Sequence, residues 1–520
     1  MTSAAATTSD LGGAVLRYKS SAGRWVVAAT VLGSGIATLD GTVVGIALPA
    51  IGRDFDAGVA SLQWVVNAYT LTLAGLLLLG GSLGDRFGRR RIFTIGTIWF
   101  AAASLLCGVA PSAEVLIMAR ALQGVGAALL TPGSLAILQA SFSATDRSRA
   151  IGAWSGLGGI AAAVGPFLGG WLISAVSWRL IFFINLPLAV AVVLISSRHV
   201  PESADSSAGH IDVTGAAAIT AALVGLTYGL IEGPANGWTA VVIGGLVASA
   251  VLFVVFVYVE SRKRSPLLPL SIFLSRQFSA ANAATFLVYA ALGGVLFLLP
   301  IVLQVDLGYS PLLAGSALLP VTVIMLTLSA RSAALAARIG PRLQMTIGPL
   351  VIAAGLALLT RVGPGSTYLN SVLPAMVVFG LGLAINVAPL TATVLAAAPA
   401  EHAGIASAVN NDVARTGGLI AVAILPAAAG ITGATFANQS ALGHGFHKAA
   451  LIAAAGCVIA GVLGFAMIRN PITDGPTERH PHDYERSCPL DGPPLRGAHH
   501  HSSERISLAA RSPDRTAPSI

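Results

Sequence analysis

The apolar run from Trp25 to Leu48 constrains the fold of this chain more than any other feature, because it holds a single charged residue, Asp40. As a helix rising about 1.5 Å per residue, a run of this length crosses a hydrocarbon layer about 30 Å thick. An acid at that depth costs roughly 2.5–3.5 kcal/mol and usually faces a bundle interior or a wet cavity. We therefore predict a membrane helix that presents Asp40 to the protein interior.

Similar apolar runs follow along most of the chain. The 520 residues are 55% hydrophobic and only 10% charged, whereas soluble domains carry about 25% charged residues. This composition excludes a soluble enzyme with one anchor and predicts an all-α polytopic membrane protein. Fourteen candidate spans lie at residues 25–48, 62–82, 92–110, 114–137, 150–173, 178–197, 211–231, 238–260, 278–303, 312–336, 344–362, 370–392, 404–430 and 446–468.

Basic residues give the predicted topology. They cluster in every second loop, which predicts that these loops and both termini are cytoplasmic. We therefore interpret the 30 basic against 22 acidic residues as a topology signal in contact with membrane lipid, and we expect no nucleic-acid partner. Arginine far outnumbers lysine, which is typical of a GC-rich bacterial genome, so the predicted location is a bacterial cytoplasmic (inner) membrane. The clustered arginines are Arg86, Arg89, Arg90, Arg91, Arg147, Arg149, Arg198, Arg262, Arg264, Arg276, Arg338 and Arg342.

An internal repeat divides the chain. Segment 85–90 (DRFGRR) is echoed 252 positions later by segment 337–342 (ARIGPR), each between the second and third span of its half. Parallel halves of this kind are typical of transporters, which bind cargo between the halves near mid-membrane. The predicted units are a disordered cytoplasmic N-terminus (1–24), an N-terminal six-helix bundle (25–197), two additional transmembrane helices with their loops (198–277), a C-terminal six-helix bundle (278–468) and a disordered cytoplasmic tail (469–520).

The loop after the second span carries glycines around an Asp-Arg pair. Glycine permits tight turns and close backbone approach, and the degraded copy in the second half favours a conformational latch over an ordinary positive-inside loop. The residues of this predicted latch are Gly81, Gly84, Asp85, Arg86, Gly88, Arg89 and Arg90.

Arg120 falls several residues inside the fourth span. A cation at that depth needs a partner or a wet cavity, and Asp40 and Gln123 are the two candidate partners. The alternative is an arginine that extends to the membrane interface.

The fifth span is rich in glycine and contains a proline. Glycines at four-residue spacing give a close-packing face, and Pro166 removes a helical hydrogen bond and favours a bend. We predict a hinge at Gly165, Pro166, Gly169 and Gly170; simple packing glycines are the alternative.

Asp412 and Arg415 stand three residues apart near the start of the thirteenth span. Side chains at this spacing can pair on one helix face, so a structural ion pair is predicted. Coupling to the loop at Asp85 is the alternative.

Four aromatic residues are candidates for lining a cargo cavity, although each also fits ordinary core or interface packing. They are Trp64, Tyr69, Trp154 and Tyr289.

Several kinds of chemistry have no motif in this chain. No Gly-x-x-x-x-Gly-Lys-Ser/Thr loop, His-Glu-x-x-His pair or Cys-x-x-Cys pair is present. We therefore expect no enzyme activity, no metal, no cofactor and no ATPase in this chain, and an ion gradient as the energy source.

As a set, these residues resemble the 14-span drug:proton antiporter branch of the major facilitator superfamily over residues 25–468. Gly45 stands where the first-helix pattern of that branch usually has Asn. The likeness is carried by the signature loop (81–90), the first-helix motif (39–49), the proton-linked motif (120–124), the antiporter motif (165–170) and segments 177–179 and 182–187.

The resemblance implies a major facilitator fold of two six-helix bundles plus two inserted helices. It implies proton-coupled export of lipophilic drugs or other toxic compounds (multidrug efflux and antibiotic resistance) by alternating access, with proton coupling at Asp40 and Arg120. The tenth span has no acid for divalent cations, so the expected cargo is small, lipophilic, and neutral or monocationic. A dedicated exporter of one endogenous metabolite or lipid is the alternative.

Overall fold

A computed structural model describes residues 16–205, 211–263, 266, 268–399, 403–433 and 439–470. Within these residues, α-helices form fourteen passes, of which the sixth and the tenth are broken into two pieces. The helices are α1 Ser21–Phe55, α2 Val59–Phe87, α3 Arg89–Gly108, α4 Ala113–Ser141, α5 Ala144–Ala175, α6 Leu180–Phe183, α7 Asn185–His199, α8 Val213–Asn236, α9 Ala240–Arg262, α10 Arg276–Val305, α11 Pro311–Ser316, α12 Leu319–Ile339, α13 Arg342–Leu358, α14 Leu373–Ala396, α15 Ala403–Ala428 and α16 Gln439–Met467. Short 3-10 turns at Leu270–Leu274 and Leu359–Arg361 and a π turn at Tyr368–Val372 complete the helical structure.

Among the described residues, 13 helical passes are long and apolar enough to cross a membrane. The remaining pass is α15, whose first half contains Asn410, Asn411, Asp412 and Arg415 and is correspondingly less apolar. The predicted all-α polytopic fold is thereby confirmed.

The segment before α1 is ordered from residue 16 onward. The Leu16 N–H donates to the Ser141 carbonyl at 2.9 Å, and the Tyr18 N–H donates to Asp146 Oδ2 at 3.0 Å. Ser20 then caps α1, its Oγ accepting from the Gly23 N–H at 3.0 Å. The expectation of disorder is wrong for residues 16–24, because sequence shows their polarity but not the backbone partners that α4 and α5 offer. Residues 1–15 and the predicted tail from 471 onward lie outside the described residues.

The passes pack as two groups with a helical hairpin beside them. In the first group α1 packs against α5 and α7, and α4 packs against α2 and α3; in the second, α10 packs against α15 and α16, and α14 packs against α12 and α13. The hairpin is α8–α9, and α8 also contacts α2 and α15. The division at residues 197 and 278 stays a prediction.

The two groups meet at one face of the molecule. We call the face where α1 begins the near face and the face where α1 ends the far face. Among the described residues, the side chains that hydrogen-bond across the two groups all lie toward the far face. Gln63 Nε2 donates to the Val422 carbonyl at 2.6 Å and Gln304 Nε2 donates to the Ile46 carbonyl at 3.0 Å.

The near half of α5 is less closely packed than the rest of that helix. Gly152, Gly156 and Gly158 lie in the near half of α5. A Cβ added at any of them would meet no described atom within 4 Å, apart from the adjoining backbone of α5 itself. The structure is therefore closed at the far face, and among the described residues no side-chain hydrogen bond joins the two groups at the near face.

Candidate functional site

Asp40 forms an ion pair with Arg120 in the interior of the first group. Arg120 Nη1 donates to Asp40 Oδ2 at 2.5 Å, and both side chains are 1% exposed. Arg120 Nε also donates to the Val65 carbonyl at 3.1 Å. The structure thus brings together the deep acid of α1 and the deep cation of α4, and Arg120 does not extend to the interface.

Gly124 allows the close helix approach that this geometry requires. A Cβ at this position would lie 2.0 Å from Thr72 Oγ1 and 2.3 Å from the Tyr69 carbonyl. Only glycine lets α4 lie so close to α2, and this approach brings the Arg120 side chain within reach of the Val65 carbonyl.

Amide side chains complete the partners of the Asp40 carboxylate. Gln123 Nε2 donates to Asp40 Oδ1 at 2.8 Å, and Asn185 Nδ2 donates to the same oxygen at 3.1 Å. Gln123 Oε1 in turn accepts from Arg120 Nη1 at 2.6 Å. Both oxygens of Asp40 therefore have donors, which stabilises the charged carboxylate away from water.

Asn185 and Ser104 belong to this network, although sequence reasoning gave them no role. Ser104 Oγ accepts from Asn185 Nδ2 at 2.9 Å and from Gln123 Nε2 at 3.1 Å, and it donates to the Phe182 carbonyl at 3.1 Å. Asn185 begins α7 immediately after the break that follows α6, so its amide is held at a fixed depth. The sequence signal for Asn185 was a polar side chain inside an apolar run, two positions before Pro187.

Tyr69 covers the ion pair and does not line an open cavity. Its ring lies 4.3 Å from the Arg120 guanidinium, a cation–π distance, and its hydroxyl donates to the Ala37 carbonyl at 3.1 Å. With 4% of its surface exposed, Tyr69 is a wall of the charged site, which agrees with core packing, the alternative to a cavity lining.

The predicted latch loop lies at the near face and is folded on itself. Asp85 Oδ1 accepts from Arg89 Nε at 2.8 Å, and the Arg86 guanidinium lies 5.8 Å from the Phe87 ring. Gly81 lies beside Pro132 of α4, and Gly84 accepts from the Gly88 N–H at 3.1 Å, which ends α2.

The chain that leads from α7 toward α8 binds this loop. Glu202 Oε1 accepts from the Arg90 N–H at 3.0 Å, and the Arg89 N–H donates to the Ser203 carbonyl at 2.8 Å. Gly88 has φ +107°, and a Cβ there would lie 2.8 Å from the Glu202 carboxyl carbon. Glycine is therefore required both by the backbone and by the carboxylate above it; sequence reasoning gave Glu202 no role.

The predicted hinge of α5 packs at the junction of the two groups. A Cβ at Gly165 would lie 2.3 Å from Thr42 Oγ1, and one at Gly169 would lie 2.5 Å from Val43 Cγ1, both on α1. On the other side of α5, a Cβ at Gly170 would lie 2.5 Å from the Pro311 carbonyl of α11. The Pro166 carbonyl lies against Gly315 of the same helix α11. These residues join α1 to the second group at close range.

Asp412 and Arg415 do not form the predicted ion pair. Within the described residues they make no contact of 4.0 Å or less between charged atoms, and Oδ1 of Asp412 and Nε of Arg415 are buried without a hydrogen-bond partner. The spacing brings the two positions near each other but does not turn the side chains toward one another. Each therefore leaves one buried polar atom on α15 without a hydrogen-bond partner.

The other candidate aromatics lie in different surroundings. Trp64 Nε1 donates to Glu232 Oε1 of α8 at 2.7 Å, so this indole links α2 to the hairpin. Trp154 Nε1 is buried without a partner among the described residues, and Tyr289 is half-buried. The structure therefore does not gather the four aromatics into one lining.

Comparisons with known proteins agree on one family. Residues 30–423 match the Major Facilitator Superfamily. Puromycin resistance protein pur8 of Streptomyces alboniger is 38% identical over 425 residues, covering 80% of this chain and 83% of that protein. Multidrug resistance protein Stp of Mycobacterium tuberculosis is 37% identical over 399 residues, covering 76% and 74%. The inward-open xylose transporter XylE of E. coli has a similar fold, with a TM-score of 0.59, 15% identity, and coverage of 86% of this chain and 97% of that one.

Proposed function

The chain belongs to the Major Facilitator Superfamily, and we propose that it is a proton-coupled antiporter that exports lipophilic drugs or other toxic compounds across the cytoplasmic membrane. It is a multi-pass membrane transporter and not an enzyme, since its relatives are resistance and efflux proteins. By the positive-inside rule the near face is cytoplasmic, with both termini on that side. The state closed at the far face is then the inward-open state of an alternating-access cycle.

The buried Asp40–Arg120 pair is the observation that carries the proton coupling. In the inward-open state Asp40 is ionised and its charge is matched by Arg120. Protonation of Asp40 leaves the Arg120 cation buried without its counter-charge, which costs several kcal/mol. A proton that arrives from outside thus disfavours this packing of α1 against α4, and its release toward the cytoplasm restores the packing.

Cargo binding completes the exchange. A neutral or monocationic lipophile that enters from the cytoplasm or the inner leaflet binds the state with ionised Asp40. Because linkage is reciprocal, bound cargo weakens proton binding by the same factor by which a bound proton weakens cargo binding. The proton gradient is therefore the proposed energy source.

The latch and the hinge have separate proposed roles. The loop at Asp85 is held by segment 202–205 in the inward-open state, and its release accompanies closure of the cytoplasmic side. Pro166 with Gly165, Gly169 and Gly170 lets α5 bend while it stays in contact with α1 and α11.

Transport in inverted vesicles tests the coupling. The chain with Asp40→Asn should accumulate no fluorescent lipophilic cation when a pH gradient is imposed, since residue 40 can no longer carry a proton. Asp54→Asn is the matched control, because Asp54 is also an acid of α1 but binds Arg179 at the far face; it should transport. Normal gradient-driven uptake by Asp40→Asn would exclude Asp40 as the coupling group.

A dedicated exporter of one compound is the second candidate. Its support is that some relatives are named for a single compound, as in Puromycin resistance protein pur8. A panel of lipophilic toxins separates the two: resistance to many compounds on overexpression supports multidrug export, and resistance to one supports the dedicated exporter.

A further inference from the structure

A shallow, open surface depression at the near-face end of α1 has no role in the transport cycle described above. Its volume is about 440 Å³, and it is lined by Lys19, Ser21, Arg24, Trp25 and Ala28. We propose that this site binds the headgroup of an anionic phospholipid in the adjoining leaflet.

The segment that carries Lys19 is fixed in position. Leu16 pairs with Phe142 as a short parallel bridge, and Tyr18 donates its N–H to Asp146. The chain then turns tightly onto α1, where a Cβ at Gly23 would lie 2.3 Å from the Arg17 carbonyl. Lys19 therefore stands beside the first turns of α1 as part of the fold.

The charges of this site favour an anion. Lys19 and Arg24 are exposed, and among the described residues neither forms an ion pair. The first turn of α1 contains no acidic residue, and its helix dipole adds positive potential in the same place. An occupant with net negative charge supplies the counter-charge that the protein itself does not.

The shape and depth of the site favour a lipid over a soluble anion. Trp25 is 43% exposed and stacks on His199 at a ring distance of 5.3 Å, so its indole lies where α1 enters the membrane. Tryptophan favours this headgroup depth, and Ala28 continues the lining one turn deeper. A phosphate beside Lys19 and Arg24 would place its acyl chains along the apolar surface below Trp25.

The internal repeat supplies a matched control. The shift of 252 positions maps Arg24 onto Arg276 and Trp25 onto Gln277. Arg276 is exposed and begins α10, so it has a comparable charge at the start of the first helix of the second half. It lacks the neighbouring lysine and tryptophan.

Native mass spectrometry of the purified full chain tests the proposal. Delipidated protein is mixed with phosphatidylglycerol or phosphatidylcholine, and bound lipids are counted for wild type, Lys19→Gln, Arg24→Gln, the double variant and Arg276→Gln. Wild type should retain phosphatidylglycerol in preference, each single variant should lower its retention about fivefold, and Arg276→Gln should resemble wild type.

A thermal-stability assay in detergent distinguishes the source of the phosphate. Phosphatidylglycerol should raise the melting temperature of wild type more than that of the double variant, and inorganic phosphate at the same concentration should raise neither. Stabilisation by inorganic phosphate would identify a soluble anion as the occupant and overturn the proposal. Equal retention of phosphatidylglycerol by the double variant and Arg276→Gln would overturn it too, and both measurements are independent of transport.

Discussion

Neutralising Arg120 separates the structural role of the buried ion pair from its role in transport. In Arg120→Gln the Asp40 carboxylate keeps only the amides of Gln123 and Asn185, and the Val65 carbonyl loses its donor at 3.1 Å. Removing one partner of a buried pair costs about 3–5 kcal/mol. Asp40→Asn should cost a similar amount, because it leaves the guanidinium without its counter-charge.

The double variant Asp40→Asn/Arg120→Gln should be much more stable than either single variant. With both charges removed, the remaining loss of folding stability comes from imperfectly paired amides and one carbonyl and is about 1–3 kcal/mol. The two single costs together are about 6–10 kcal/mol, so the double-mutant cycle predicts a coupling of about 3–9 kcal/mol, at or above the upper end for residues in contact. Unfolding in mixed micelles titrated with a denaturing detergent measures these free energies.

Transport by the double variant should stay absent although its stability recovers, since no proton carrier remains at residue 40. Two results would refute the assignment of a charged pair at this site. One is a free energy of unfolding of each single variant within about 1 kcal/mol of wild type, and the other is a double variant whose loss equals the sum of the two single losses. If the double variant regains gradient-driven transport together with its stability, the coupling role of Asp40 is refuted.

Three further variants probe other parts of the structure. Asn185→Leu removes a donor from the buried Asp40 carboxylate (3.1 Å), so the free energy of unfolding in mixed micelles should fall by about 1–3 kcal/mol; an unchanged free energy would contradict this role. Glu202→Gln weakens a half-exposed contact with Arg90, and the population closed at the far face, followed by spin-label distances across that face, should fall by about twofold; a larger population would contradict this role. Burial raises the pKa of Asp306, although the charge of His447 opposes this, so its contribution to stability is present below about pH 4 and is lost as pH rises through the raised value. Asp306→Asn should therefore melt higher than wild type near pH 7 but not near pH 4, and equal differences at both pH values would contradict the assignment.

The sequence predicts the apolar passes, and it also predicts that Asp40 faces the protein interior and that Arg120 needs a partner or a wet cavity. Charge inside an apolar run is so costly that a deep acid and a deep cation have few alternatives to each other. The choice between Asp40 and Gln123 as the partner of Arg120 stayed open, and the structure shows that Arg120 binds both.

Side-chain direction and long-range backbone contacts are harder to predict. The spacing of Asp412 and Arg415 fixes the distance along one helix, but the direction of each side chain depends on the helices around it. Glu202 is likewise unremarkable in a polar loop, and its role depends on a contact with Arg90 that is 112 positions away. The order of residues 16–24 depends in the same way on partners at Ser141 and Asp146.

The position of α8 has a consequence for how the two bundles separate. This helix lies against both α2 and α15, and its residue Glu232 accepts a hydrogen bond from Trp64 of α2. Rotation of one bundle against the other therefore has a supported edge along α8, and the near-face ends of α5 and α12 make no comparable contact with that helix. We therefore expect asymmetric opening that is wider on the side of Gly152 and Gly156, where a Cβ would meet no described atom outside α5 within 4 Å.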